Sequence, residues 1–301
     1  MSERAAQPTS IGEALQDAAE RLAASGLPGP RREAMMLWAA VAGTGTNPGD
    51  VWLRRAQEPA VELVERFGHA VEQRSRGVPF AYAVGRTGFR TLDLKLDPRA
   101  LIPRPETEGL VDLVLRETGM QDAGGGRRGV VADIGTGCGC IALSLAIEGA
   151  FERVVAVERS PNAAALAREN VALVRPAVPV EVRECDWLAP LAGERYRAIV
   201  SNPPYLTEAE YSALDSAVRL FEPREALVSG VDGLTATRAL LAGARALLGP
   251  GGFVALELDE RRADHVRALA LRHGWSQVAV YDDLFGRPRF LMAGLDAEGG
   301  T

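Results

Sequence analysis

At 301 residues, with 47% hydrophobic, 25% charged and 6% aromatic residues, the chain has the make-up of an ordinary globular protein of one large or two smaller domains, which excludes disorder and collagen-like repeats. Lys and Arg total 34 against 40 Asp and Glu, a formal charge of -6, so no overall basic field draws in nucleic acid. No apolar run approaches the roughly 18 to 20 uncharged residues that span a bilayer, and residues 1–10 lack the layout of a signal peptide. A cytoplasmic protein, most simply a monomer, is expected. Cys138, Cys140 and Cys185 show no C-x-x-C spacing and His69, His265 and His273 are scattered, so neither a disulfide frame nor a metal site is indicated.

Ser10 followed by Glu13 reads as a capping box, and Ile11, Leu15, Ala18 and Leu22 recur at helical spacing until Gly26. Residues 31–42 and 61–76 repeat an amphipathic pattern, which predicts a helical bundle over 1–77. The texture changes at Pro79. Residues 91–96 alternate polar and apolar, and Gly88-Phe89 suits a hairpin partner, so 78–100 reads as a β-hairpin connector. From 101 to 301 strands and helices alternate: strands at 130–134, 154–157, 180–182, 198–200 and 253–256, helices at 140–147, 162–173, 235–248 and 261–273, and a closing strand pair at 278–281 and 290–293. This is βαβ punctuation for an α/β fold with a mostly parallel sheet.

Asp133-Ile134-Gly135-Thr136-Gly137-Cys138-Gly139 falls where a strand turns into a helix, so glycines let the backbone approach a ligand at the carboxyl end of the sheet. A tight turn without a ligand is the plain alternative. Glu158 ends the next strand about 20 residues on, where an acid accepts from both ribose hydroxyls; a solvated surface glutamate is its plain counterpart. Cys185-Asp186-Trp187 follows the third strand and offers a carboxylate for an exocyclic amine and a flat face for a purine. Together the three loops describe an adenosine pocket. No Lys or Arg sits in the glycine loop to hold a polyphosphate, which favours S-adenosylmethionine, with NAD as the second candidate.

Asn202-Pro203-Pro204-Tyr205 follows the strand at 198–200. Two prolines stiffen the backbone and aim the Asn202 side chain and the Pro203 carbonyl the same way. Two acceptors then grip both protons of an NH2 group and turn its lone pair toward an electrophile, while Tyr205 stacks on the planar group that bears it. Elsewhere in a chain the same four residues are merely a turn.

The pair of D-x-G-x-G-x-G and N-P-P-Y resembles the class I methyltransferases of planar amide or amino nitrogens. Leu101-Ile102-Pro103-Arg104-Pro105-Glu106-Thr107-Glu108, the upstream Pro79-Phe80-Ala81-Tyr82-Ala83-Val84-Gly85, Phe221-Glu222-Pro223-Arg224-Glu225-Ala226-Leu227 with Asp232-Gly233-Leu234, and Asp283-Leu284-Phe285-Gly286-Arg287 are similar to the HemK/PrmC release-factor glutamine methyltransferases. The resemblance covers nearly the whole chain. It implies a Rossmann-like, mostly parallel seven-stranded sheet at 101–301 behind an N-terminal helical bundle that recognises the substrate. It implies methyl transfer from S-adenosylmethionine, leaving S-adenosylhomocysteine, to the side-chain amide (N5) of the glutamine in the Gly-Gly-Gln motif of class 1 peptide chain release factors. It further implies cofactor binding by Asp133, Gly135, Thr136, Gly137, Cys138, Gly139, Glu158, Asp186, Trp187 and Asn202, and handling of the glutamine by Asn202, Pro203, Pro204 and Tyr205. Glu158 stands where aspartate is commoner, and Ser229-Gly230 where two glycines are commoner.

Other readings share parts of this pattern. An amino-methylating DNA methyltransferase has N-P-P-Y but needs a basic recognition region that the acidic balance disfavours. A methyltransferase of another protein glutamine fits the motifs equally. An NAD-dependent dehydrogenase leaves N-P-P-Y unexplained, as does a binding scaffold without activity.

Overall fold

The computed structural model describes residues 8–43, 45–121 and 129–294, so residues 1–7, part of the start read above for a signal peptide, lie outside the described residues. The chain divides into two compact units, Met1–Arg86 and Thr87–Thr301.

The first unit is helical: α1 (Ile11–Ala24), α2 (Pro30–Ala42), α3 (Pro48–Leu53), α4 (Val61–Ser75) and α5 (Phe80–Val84). Its core joins Leu22, Leu37, Trp38, Phe67 and Val71, and the Trp38 and Phe67 rings meet edge to face at 4.8 Å. Ser10 Oγ accepts from the Glu13 amide, but the Glu13 carboxylate reaches the Thr9 amide instead of that of Ser10, so only half of the expected capping box forms. The stretch expected to be a β connector divides between the units. Residues 80–84 form α5, which packs on α2 and α4, because Phe80 and Val84 find apolar cover against the helical core.

The second unit opens with the hairpin of β1 (Arg86–Phe89) and β2 (Leu92–Lys95), turned by Arg90 in the left-handed region at φ 52°. Then follow α6 (Thr107–Gln121), β3 (Val130–Ile134), α7 (Cys140–Glu148), β4 (Arg153–Glu158), α8 (Pro161–Val174), β5 (Val180–Glu184) and β6 (Tyr196–Ser201). The chain continues through α9 (Glu208–Ser212), α10 (Ser216–Phe221), α11 (Thr235–Gly243), β7 (Leu248–Glu257), α12 (Ala263–Arg272), β8 (Gln277–Asp282) and β9 (Pro288–Gly294). Seven strands pair in the order β5-β4-β3-β6-β7-β9-β8, parallel through β7, with β9 antiparallel to both neighbours. Apolar β3, β4 and β6 are buried on both faces, as their uninterrupted hydrophobic runs require.

Several bounds and elements differ from the sequence expectation, with α3, α9 and α10 formed where the pattern assigned none. The helix expected over 235–248 stops at Gly243 and a 3-10 turn covers Ala244–Leu247, because Leu248 already pairs with Tyr196 and β7 runs through a register shift before Phe253 meets Ala198. Helix α6, to which the pattern assigned no element, packs against α7, β6 and β7.

The strand order reverses at β3, so the loops after β3, β4, β5 and β6 converge on one carboxyl-end crevice. Asn170 of α8 anchors it. Its Nδ2 donates to the carbonyls of Lys95 and Cys138, each at 2.9 Å, and its Oδ1 accepts from the Lys95 amide at 2.8 Å. One buried side chain thus ties the hairpin to the glycine loop. Asn170→Ala strands these groups and costs about 2 to 4 kcal/mol of stability, read by urea denaturation; a loss below about 1 kcal/mol contradicts this role.

Candidate active site

The cleft at the carboxyl edge has a volume of about 260 Å³ and draws its wall from all four switch-point loops. Gly135 and Gly137 line it with positive φ of 73° and 58°, and a Cβ built on Gly135 would point into open space, so an L side chain would be strained and would fill the cradle. Glu158, Asp186, Trp187, Asn202, Pro203 and Pro204 share the same wall.

Five of the expected site residues stand outside that lining. Asp133 is fully buried behind the loop, where its Oδ2 accepts from the Thr136 hydroxyl at 2.6 Å and the Ala142 amide at 3.1 Å. Thr136 and Asp133 therefore brace the turn from below. The Cys138 thiol is buried and its carbonyl is held by Asn170, while Gly139, at φ 88°, starts α7 against Leu143 and Ala167. Tyr205 follows the two prolines without lining the cleft, and burial, followed by the negative charge of Glu257, pushes its phenol up to about 12.

Glu158 organises the loop as well as facing the cleft. Its Oε2 accepts from the Gly137 amide and its Oε1 from the Ser160 amide, both at 2.9 Å. A carboxylate has about four lone-pair sites, so two remain for a ribose diol. The longer side chain at this position is thereby used to full length. Ser229 too has a physical reason: its hydroxyl accepts from the Ala236 amide at 2.9 Å and caps the start of α11, a bond that glycine cannot make. Gly230 must stay bare, since a Cβ there would lie 2.3 Å from Thr235 Oγ1.

Behind Asn202 lies a chain of side chains that the motif reading missed. Asn202 Nδ2 donates to Thr107 Oγ1 at 3.1 Å, and Thr107 donates to Glu257 Oε2 at 2.7 Å. Thr107 and Glu257 are each 2% exposed. The available signal was an acid closing the apolar run Phe253-Val254-Ala255-Leu256, since an unpaired charge is not tolerated in such a place. Burial raises Glu257 to about 7, against the Thr107 bond and the positive charge of Arg289. Burial likewise raises Asp133 to about 7, against its bonds to Thr136 and Ala142.

Arg104, Glu106 and Glu108 divide their duties. Arg104 Nη2 donates to Glu222 at 2.8 Å, and Glu222 also accepts from the Ile102 amide, which clamps segment 100–101 to segment 223–230 across the cleft. Glu108 accepts from the Arg90 amide at 2.8 Å and secures the hairpin turn. Glu106 adds negative charge beside Glu257. Asp283 folds the late Asp283–Arg287 turn by accepting from the amides of Phe285 and Arg287. Among the described residues no cluster of three or more His, Cys, Asp or Glu is placed to hold a metal ion, and no helix is long and apolar enough to cross a membrane.

The residues present fit S-adenosylmethionine: bare glycine backbone, an acid at the end of β4, and an acid and an indole after β5, without a cationic phosphate grip in the loop. The fold and this crevice define a class I S-adenosylmethionine-dependent methyltransferase with an added helical unit. Family models agree, the PrmC N-terminal domain matching residues 13–85 and the Methyltransferase small domain matching residues 114–231. The chain belongs to the release factor glutamine methyltransferase family. It is 40% identical to the Release factor glutamine methyltransferase of Moorella thermoacetica over 94% of this chain and 98% of that one. It is 39% identical to that of Deinococcus radiodurans, over 93% and 96% of the two chains. Among solved structures, the hMettl16 catalytic domain in complex with MAT2A 3'UTR hairpin 6 has the same fold, with a TM-score of 0.54 and 16% identity over 80% of this chain and 84% of that one.

The two buried acids set a pH dependence of stability. A carboxylate whose folded pKa lies above its unfolded value binds more protons when folded, so stability falls as pH rises between the two values. For Asp133 and Glu257 that window runs from their ordinary values of 3.8 and 4.5 up to about 7. Urea denaturation without cofactor is expected to give stability decreasing by a few kcal/mol, about 1.4 per pKa unit for each acid, from pH 5 to pH 8. Asp133→Asn flattens the curve; an unchanged slope refutes the assignment.

Proposed function

We propose that this chain transfers a methyl group from S-adenosylmethionine to the side-chain amide nitrogen of the glutamine in the Gly-Gly-Gln motif of class 1 peptide chain release factors. The observation that carries this reading is Asn202 on the wall of the glycine-loop cleft with its Nδ2 engaged by Thr107, which leaves Oδ1 as an acceptor for the incoming amide. The sequence relatives, named for this activity, support the choice of substrate. The cofactor supplies an electrophilic methyl group on a sulfonium.

Everything else falls to the protein. An amide nitrogen is a weak nucleophile because its lone pair is delocalised into the carbonyl, so positioning dominates, and alignment can contribute up to roughly 7 to 11 kcal/mol in the best cases. Asn202 Oδ1 and the Pro203 carbonyl accept hydrogen bonds from the two N–H groups and set negative dipoles where positive charge grows on nitrogen. Pro204 keeps the backbone stiff, and Tyr205, un-ionised at neutral pH, offers a flat face beside the amide plane. Gly135, Gly137, Glu158, Asp186 and Trp187 hold the nucleoside, with Asp133, Thr136, Cys138 and Gly139 shaping the loop around it. No metal takes part. The proton lost from nitrogen goes to water.

The helical unit provides the recognition surface for the release factor, since one glutamine is too small to select a protein. The reaction belongs in the cytoplasm, where release factors act.

Incubating the purified chain with a release factor and labelled methyl donor is expected to add one methyl group at the Gly-Gly-Gln glutamine, located by mass spectrometry, and none on DNA or ribosomes. Asn202→Ala removes at least about 100-fold of kcat while cofactor affinity stays within about threefold, because it deletes an interaction made to the reacting amide. Near-normal methylation by that variant overturns the role of Asn202. A chain starting at Thr87 is expected to lose kcat/KM on the full factor much more than on a short Gly-Gly-Gln peptide; an equal loss on both assigns the helices to stabilisation alone.

A further inference from the structure

A carboxamide has a donor end and an acceptor end of nearly equal size, and only its partners decide which end faces a substrate. We infer that Thr107 and Glu257 are positioning residues that fix the polarity of the Asn202 side chain, through hydrogen bonds running from Asn202 Nδ2 to Thr107 Oγ1 and from Thr107 Oγ1 to Glu257 Oε2. The inference rests on the functional reading above, in which Asn202 Oδ1 accepts from the glutamine NH2.

Thr107 Oγ1 has one hydrogen, and Glu257 takes it at 2.7 Å. The oxygen facing Asn202 is then purely an acceptor, so at 3.1 Å it can be met only by Nδ2, and Oδ1 is turned to the other side. Neither Thr107 nor Glu257 lines the cleft, so their hydrogen bonds reach the substrate side through Asn202. The three residues come from α6, the end of β7 and the turn after β6, separated by 95 and 150 positions along the chain. Ionised Glu257 keeps this order because a carboxylate is only an acceptor. Once protonated, it can donate to Thr107, which frees the Thr107 proton for Asn202 Oδ1 and turns the donor end of the amide toward the donor NH2 of the substrate.

The charges facing Glu257 are Arg289 from β9 and Arg104 and Glu106 from the segment before α6, and it in turn raises the Tyr205 phenol after β6. Arg289 and Arg104 favour the ionised form, while burial and Glu106 oppose it, which leaves the group titrating at about 7. Activity is therefore expected to fall on the acid side of neutrality, although an amide substrate has no group that titrates there.

The test is the steady-state kinetics of the full chain on a release factor, with S-adenosylhomocysteine affinity and the melting temperature measured alongside. T107V and E257Q should each lower kcat by about 10- to 100-fold with KM for the factor and S-adenosylhomocysteine affinity within about twofold, and the double variant should lose no more than the worse single one. T107S should recover at least about a third of wild-type kcat. In the wild type, kcat should drop about tenfold between pH 8 and pH 6, a limb that T107V lacks. A folded T107V or E257Q with kcat within twofold of wild type overturns the inference. So does a T107S variant, which keeps the hydroxyl, whose kcat falls at least tenfold, and this decides the matter even if T107V and E257Q fail to fold. Failure of the wild type to methylate the factor strikes the functional reading and this inference with it, whereas an active wild type with fully active variants strikes only this inference.

Discussion

The hydrogen bond from Asn202 Nδ2 to Thr107 is the constraint on which the proposed active site depends. An unanchored asparagine presents either end of its amide, and an NH2 group offered to another NH2 group repels it. In the proposed reaction the tied-back donor end leaves the acceptor end to act as a pair with the Pro203 carbonyl. The two prolines stop the backbone from relaxing away from that geometry. Preorganisation of this kind suits a reaction whose nucleophile is intrinsically weak, since the dipoles are already in place when charge develops.

The fold supplies this arrangement by bringing distant elements to one edge. Strand β6 ends at Ser201, whose hydroxyl donates to the Ile134 carbonyl at 2.6 Å and so locks the start of the N-P-P-Y turn to the strand that carries the glycine loop. Asp133 and Asn170 brace the loop from behind, and the Arg104–Glu222 pair fastens two segments across the cleft. Neither the glycine turn nor the N-P-P-Y turn is therefore held by local bonds alone.

This construction works against stability in one respect. Asp133 and Glu257 are buried where neutral side chains would be more easily accommodated, and each has ionisation suppressed by burial. Their value lies in organising the loop and the amide. The exposed ion pairs, such as Arg76 with Glu72, contribute little by comparison, because water screens them.

Much of the fold was legible in the chain itself. Apolar runs at 130–134 and 253–256 marked buried parallel strands, and glycines at 135, 137 and 139 marked a turn that needs positive φ, because backbone sterics act within a few residues. Asn202-Pro203-Pro204-Tyr205 announced its stiffness for the same reason. Other features depended on elements brought together only by folding. The split of residues 78–100 between two units turned on whether Phe80 and Val84 found apolar cover. The capping role of Ser229 required the start of α11 to lie against it. Above all, nothing local marks Thr107, Asn202 and Glu257 as partners. Hydrogen bonds form between neighbours in space, and the sheet alone made those three residues neighbours.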